Sequence, residues 1–236
     1  MDNQNNNHRH KNDKANSEME IDSTVKNNAR ESKEESWSEA ENHLEKREFL
    51  YARFGYDLER ERQAVVKAAK PFSGRILDAG TGKGHFALAL ARSGYRVVSF
   101  DLSEDQLKVA RENLEKNGVS HLVELRQEDG EKLSFPDGSF DTIFSVNMVH
   151  HLKNPCQVIS ELTRVLSSAG KLVICDFSPE GMAMMAEVHK LEGDSHEGSP
   201  VGLAEVGEFL KKAGFKIQKS RAKYEITLVA QRVTMK

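Results

Sequence analysis

The run Ile76-Leu77-Asp78-Ala79-Gly80-Thr81-Gly82-Lys83-Gly84 constrains the fold of this chain more than any other stretch. A short apolar segment leads into three alternate glycines, so a buried strand delivers the backbone to a tight turn stripped of side chains. Such a turn lets a ligand lie directly against the main chain. The residues after it, GHFALALARSG, have helical spacing and end on Gly94, a common helix stop.

Strand-like and helix-like segments then alternate. RVVSFD predicts a second strand ending at Asp101. Ser103 opens a helix over DQLKVARENLEKNG with a Ser-x-x-Gln capping box, closed by Gly118. LVELRQ and FDTIFSVN predict strands three and four, separated by the turn Pro136-Asp137-Gly138. Pro155 suits the first turn of a helix that the pattern carries to Gly170, and KLVICDF is strand five. Helical spacing returns in GMAMMAEVHKLEG and AEVGEFLKKAG, on either side of the polar loop DSHEGSP, before a closing hairpin of FKIQKSRAK and EITLVAQR. Upstream, Phe49 to Ala69 reads as one helix stopped at Lys70-Pro71. The alternation implies an α/β, Rossmann-like, doubly wound sheet of seven strands, mostly parallel with the last antiparallel and helices on both faces. Such sheets bind ligands at the carboxyl ends of their strands.

Composition bounds the partners. Residues 1–45 hold eleven acidic and six basic residues, nine Asn and only nine hydrophobics, too little apolar area to offset the entropy of ordering them. They read as a disordered polar tail, although Glu34 to Leu44 has the spacing of a short docking helix. The remaining 46–236, one domain, carries 26 acidic and 28 basic residues and is nearly neutral, so phosphate backbones have no bulk claim on it and no nucleic-acid partner is expected. No apolar run is long enough to span a bilayer, and the first residues contain no apolar core of a secretory signal. Two cysteines, Cys156 and Cys175, build neither a disulfide framework nor a four-thiolate zinc site, which fits a cytoplasmic location.

Spacing separates the ligands a glycine turn can take. A phosphate-cradling Walker loop requires Gly-Lys followed by Ser or Thr, whereas Gly82-Lys83 precedes Gly84. A dinucleotide fingerprint can be laid on Gly82-Lys83-Gly84-His85-Phe86-Ala87, but it leaves Asp78 without a role and puts the next acidic strand end, Asp101, 17 residues beyond Gly84. A third reading uses every residue: an acidic side chain before GxGxG and a second at the end of the next strand.

That pattern resembles motif I of the class I S-adenosylmethionine-dependent methyltransferases, and the resemblance runs from about Gly74 to Phe177. LSFPDGSFDTIFSVNMVHHL looks like the region around strand four in the branch of small-molecule and quinone-ring methylating enzymes, from which Met148-Val149-His150-His151 departs. The resemblance implies that Asp78, Gly80, Thr81, Gly82 and Gly84 surround the amino-acid end of the cofactor. Asp101 would take both ribose hydroxyls and Leu102 the adenine ring. Asp129, with Gly130, would take the adenine amino group, and Asn147 would lie close to the methyl. Each acidic residue has a plainer reading as a helix cap or a solvated loop residue.

Methyl transfer from a sulfonium is an in-line displacement, so alignment matters most and a base is optional. A histidine is the natural proton acceptor, which makes His150 the candidate base, while one of His150 and His151 has the plainer reading of a residue that packs the loop. The segment 178–202 is where such enzymes recognise acceptors, and His189 and His196 are its candidate contacts. With Glu192 they fall at i, i+3 and i+7, but Gly193 and Asp194 argue against the continuous helix a metal site would need, so no metal is assigned. Met182, Met184 and Met185 suit either a pocket wall or core filling. Cys156 follows Pro155 at a helix start rather than at a strand end, the wrong place for a base-attacking thiolate. The expected activity is methyl transfer to a small-molecule acceptor, leaving S-adenosylhomocysteine. An NAD(P)-dependent oxidoreductase and a non-catalytic adaptor that keeps the fold stay open.

Overall fold

The computed structural model describes residues 43–192 and 202–233. The chain divides into two units, Met1–Leu50 and Tyr51–Lys236, and the second carries all that follows. Its elements, in order, begin with α1 (His43–Arg53), which starts in the first unit, and α2 (Leu58–Ala69). Then come β1 (Ile76–Ala79), α3 (His85–Arg92), β2 (Val97–Asp101), α4 (Glu104–Lys116), β3 (Val123–Gln127) and β4 (Phe140–Val146). The chain closes with α5 (Pro155–Val165), β5 (Leu166–Phe177), α6 (Pro179–Glu192), α7 (Leu203–Lys212), β6 (Phe215–Arg221) and β7 (Glu225–Arg232).

The seven strands form one sheet in the order β3-β2-β1-β4-β5-β7-β6, with β7 antiparallel to both of its neighbours and the other strands parallel to one another. Strand order reverses between β1 and β4, the crevice where doubly wound sheets bind ligands. Side chains alternate across this sheet by the two-residue period of a strand. Leu77, Ala79, Val98, Phe100, Ile143, Leu172 and Ile174 pack one face against Val158, Ile159 and Leu162 of α5 and Val206 and Leu210 of α7. Ile76, Val97, Phe144, Val173, Cys175 and Val229 pack the other against Val65, Val66 and Ala69 of α2 and Phe86 and Leu90 of α3. Burial on both sides explains why strands such as LVIC are continuously apolar. The two edge strands, β3 and β6, carry exposed Glu124 and Arg126, and Lys216, Lys219 and Arg221.

Two element boundaries differ from those the sequence predicts. The single helix expected over Phe49 to Ala69 is two, because the chain turns at Gly55, with φ +73, and Asp57 caps a new helix by accepting from Arg60 N at 3.0 Å. The helix expected to reach Gly170 stops at Val165. Leu166 is already extended and pairs with Phe140, its side chain folds over Gly170, and the register slips before Thr142 pairs with Lys171. The capping box at Ser103 is half formed: its hydroxyl accepts from Gln106 N at 3.3 Å, while Ser103 N donates to Asp101. The tail to residue 42, and the part of the docking helix before His43, lie outside the described residues.

Candidate functional site

At the C-terminal end of β1 the three glycines take φ of +69, +53 and +82, which L side chains rarely adopt. Their surroundings differ. A Cβ on Gly80 would strike Met148 Sδ at 2.3 Å, and one on Gly84 would press on Ala110 at 3.0 Å, whereas one on Gly82 would meet nothing nearer than Gln106 Oε1 at 4.0 Å. Gly80 and Gly84 are therefore packing glycines, and Gly82 is the one over open space. Thr81 N donates to Phe100 O at 2.9 Å and Gly82 N to Asp101 Oδ2 at 2.8 Å, which ties the turn to the end of β2.

Asp78 lies on the α2 side of the sheet in register with Ser99, whose hydroxyl donates to Asp78 Oδ2 at 2.6 Å. Burial pushes its carboxyl up to about 6, against the hydroxyls of Ser99 and Thr81 and the more distant charge of Arg62. Asp101 bridges Gly82 N and, through Oδ1 at 3.0 Å, Ser103 N. Leu102, next in the chain, is 66% exposed, an unusual position for a large aliphatic side chain. Asp129 accepts from Glu131 N at 2.9 Å in a turn at the end of β3, and Gly130 packs under Val158 of α5.

The end of β4 takes an unusual backbone conformation. Asn147 has φ +53, the one non-glycine residue with positive φ among those described. Its Nδ2 donates to Glu225 Oε1 at 3.4 Å, and its Oδ1 is buried with no hydrogen-bond partner. Three residues on, His150 sits in a single 3-10 turn, its main-chain N donating to Asp176 Oδ2 at 3.0 Å and its Nδ1 2.6 Å from Asp176 Oδ1. With a carboxylate as partner, Nδ1 carries the proton and Nε2 is the basic nitrogen.

Around Glu225 the structure builds a buried polar network that the sequence reading missed. Arg62 Nη1 donates to Glu225 Oε1 at 3.0 Å and to the Tyr56 hydroxyl at 3.2 Å, Tyr56 donates to the same oxygen at 2.5 Å, and Cys175 Sγ reaches Oε2 at 3.2 Å. Burial raises the Tyr56 phenol and the Cys175 thiol well above their ordinary values. A signal existed: Arg62 interrupts the apolar stripe Leu58, Val65, Val66, Ala69 of α2, and Glu225 and Cys175 occupy inward positions of otherwise apolar strands. Asp176, at the end of the buried β5, was equally visible.

Beyond β5, the first turn of α6 is clamped to the last hairpin. Ser178 Oγ donates to Lys223 O at 2.7 Å, Arg221 Nη2 donates to both carboxylate oxygens of Glu180 at 2.8 and 2.7 Å, and a Cβ on Gly181 would overlap Tyr224 O. Met184 and Met185 are buried as core, Met185 accepting from the Tyr51 hydroxyl at 3.1 Å, and His189 is buried on the same helix. His196 lies outside the described residues, and Cys156 is exposed in the first turn of α5. Among the described residues no three His, Cys, Asp or Glu side chains are grouped to hold a metal.

The family described as a methyltransferase domain matches residues 77–174, from β1 through most of β5. A phosphatidylethanolamine N-methyltransferase of Cereibacter sphaeroides is 34% identical over 137 residues, which are 58% of this chain and 67% of that protein. The chain belongs to the class I S-adenosylmethionine-dependent methyltransferases. A demethylmenaquinone methyltransferase of Clavibacter sepedonicus is 39% identical over 118 residues, but this class I chain spans only about half the length of that relative, 47%. The fold is shared by a SAM dependent methyltransferase from Aquifex aeolicus, with a TM-score of 0.57 and 24% identity over 73% of this chain and 90% of that one. The residues present fit the cofactor of a class I methyltransferase. Open space lies over Gly82, Leu102 offers an exposed apolar face one residue beyond Asp101, and Asn147 keeps a buried acceptor unbonded.

Proposed function

We propose that residues 46–236 form a methyltransferase domain that transfers a methyl group to a small molecule held against the segment 178–202, by in-line displacement. The cofactor supplies an electrophilic methyl on a sulfonium. Asp78, Gly80, Thr81, Gly82, Gly84 and Asn147 take its amino-acid and methyl end, Asp101 its ribose, Leu102 the adenine face, and Asp129 with Gly130 the adenine edge. The observation that carries this reading is the open Gly82 turn tied to Asp101 at the reversal of strand order. No helix among the described residues is long and apolar enough to cross a membrane. With both cysteines free, a cytoplasmic protein acting on small molecules rather than nucleic acid fits the near-neutral domain.

His150 takes the proton lost by an O or N acceptor. Asp176 holds the ring through two contacts, to its main-chain N and to Nδ1, so that Nε2 is the basic atom. His189, with His196, contacts the acceptor. Replacing Asp176 by Asn would favour the wrong tautomer, and kcat should fall about a hundredfold or more while cofactor affinity is kept. An unchanged kcat assigns the dyad to folding alone.

The cofactor itself is tested by thermal unfolding with S-adenosylhomocysteine and, separately, NAD, each at about a hundred times its dissociation constant. A ligand of the folded state then adds roughly 2.7 kcal/mol, a rise of about 5 to 10 °C at this length. A rise with S-adenosylhomocysteine alone is expected. A rise with NAD alone overturns the reading in favour of an oxidoreductase.

A further inference from the structure

From Lys211 to Lys223 the chain reads KKAGFKIQKSRAK, six cations in thirteen residues, and no acidic residue occurs between Glu208 and Glu225. The remainder of 46–236 holds 22 basic and 26 acidic residues, so a nearly neutral domain gathers its excess positive charge in one place. That place is a rim. Lys211 and Lys212 end α7, Lys216, Lys219 and Arg221 lie along the edge strand β6, and Lys223 follows in the hairpin, all six exposed. Strand alternation puts Lys216 on one face of the sheet and Lys219 and Arg221 on the other, so the charge straddles the edge. Lys211 pairs with Glu208 and Arg221 with Glu180, both at 2.7 Å, whereas Lys212, Lys216, Lys219 and Lys223 have no acidic partner among the described residues. Guarding the edge accounts for Lys216 and Lys219, and the α7 dipole for Lys211 and Lys212, but neither accounts for Lys223 or for the missing acidic residues.

The partner that fits is broad and anionic. The seven residues of β6 alone span roughly 23 Å, too long a line for one small anion. At the start of the same rim Val233, whose N donates to Gly214 O at 3.0 Å, adds an aliphatic side chain that is 61% exposed. No aromatic residue among those described is exposed to a like degree, so the bases of a single-stranded nucleic acid would find no stacking platform. Cations around an aliphatic side chain suit a lipid headgroup layer, where each Lys or Arg beside an anionic leaflet strengthens binding about fivefold. The acidic excess on the other faces is screened beyond about 8 to 10 Å. We propose that the rim from Lys211 to Lys223 docks on an anionic lipid bilayer, lying on it without spanning it. β1 is four strands away, so at the usual strand spacing the glycine turn stays roughly 19 Å clear of the docked edge.

Sedimentation of the full chain with phosphatidylcholine vesicles, with and without about one quarter phosphatidylglycerol, tests this. At about 0.1 M salt the anionic vesicles should bind at least about tenfold more strongly than the neutral ones, and the difference should vanish near about 0.5 M. Lys216→Glu with Lys219→Glu keeps the edge charged and should lose about tenfold or more, and Lys223→Glu, outside the strand, about fivefold or more. Lys108→Glu with Arg111→Glu changes the net charge of exposed positions by the same amount on α4, which packs on β3 at the opposite edge, and should bind as the unaltered chain does. Equal binding to both kinds of vesicle, or equal losses in the two double variants, overturns the proposal. Unchanged binding in Lys223→Glu overturns it even where the strand variant does not fold. So does tighter binding of the unaltered chain to polyglutamate or to a DNA duplex of about 20 base pairs, which would make the rim a site for those polyanions instead.

Discussion

Asp78 shows how one buried carboxyl can trade stability for binding. Its folded pKa, about 6, lies above that of an unfolded aspartate, so the fold holds the proton more tightly than the open chain does. Stability without cofactor therefore rises as pH falls from 6 towards 4, and the cost of the buried charge, roughly 3 kcal/mol at most, is fully present above pH 6. Asp78→Asn keeps an acceptor for the Ser99 hydroxyl and should raise the urea midpoint at pH 7.5 while changing it little near pH 4. On the proposed function the ionised form pairs with the cofactor's ammonium, so S-adenosylhomocysteine affinity should weaken below pH 6 in the unaltered chain and be weak and nearly pH-independent in Asp78→Asn. A urea midpoint that drops at pH 7.5 would show that the Asp78 charge stabilises the fold. The glycines divide along the same line. Gly80→Ala must displace Met148 and should cost several kcal/mol of stability, whereas Gly82→Ala incurs mainly the strain of positive φ, about 1 kcal/mol, yet fills the space proposed for the cofactor.

Elements were read more faithfully than their junctions. The strand ends at Ala79, Asp101 and Val146 were legible because an apolar run of fixed period stops abruptly at a glycine or a polar residue, and the candidate cofactor residues follow from those ends. The junctions at Gly55 and Val165 were not, because both depend on tertiary contacts: an aspartate cap on a new helix, and Leu166 drawn into pairing with Phe140. The Glu225 network was illegible for a similar reason, since it joins Tyr56 and α2, the residue after β4, β5 and β7 across up to 169 residues. The clamp between α6 and the last hairpin is likewise non-local. A methyl group at Gly181 has no room beside Tyr224 O, so Gly181→Ala should shift α6, raising acceptor KM with S-adenosylhomocysteine affinity unchanged. Equal losses of both would place α6 in the cofactor site instead.

For the whole molecule, the sheet and both helical layers lie within the unit Tyr51–Lys236. A chain starting at His43 should thus unfold with the same S-adenosylhomocysteine-dependent shift as the full sequence, within about 1 °C. A lost shift would assign residues 1–42 a part in binding. The sheet ends on both sides in charged strands: Glu124 and Arg126 along β3, and Lys216, Lys219 and Arg221 along β6. A sheet with two open rims could in principle keep growing, each copy templating the next. A visiting strand would have to strip water from these ammonium and guanidinium groups to dock, and its own like charges would be repelled. The lysines and arginine that break the apolar pattern of β6 thus guard that edge, and neutralising those three cations should turn it into a template on which further strands can dock.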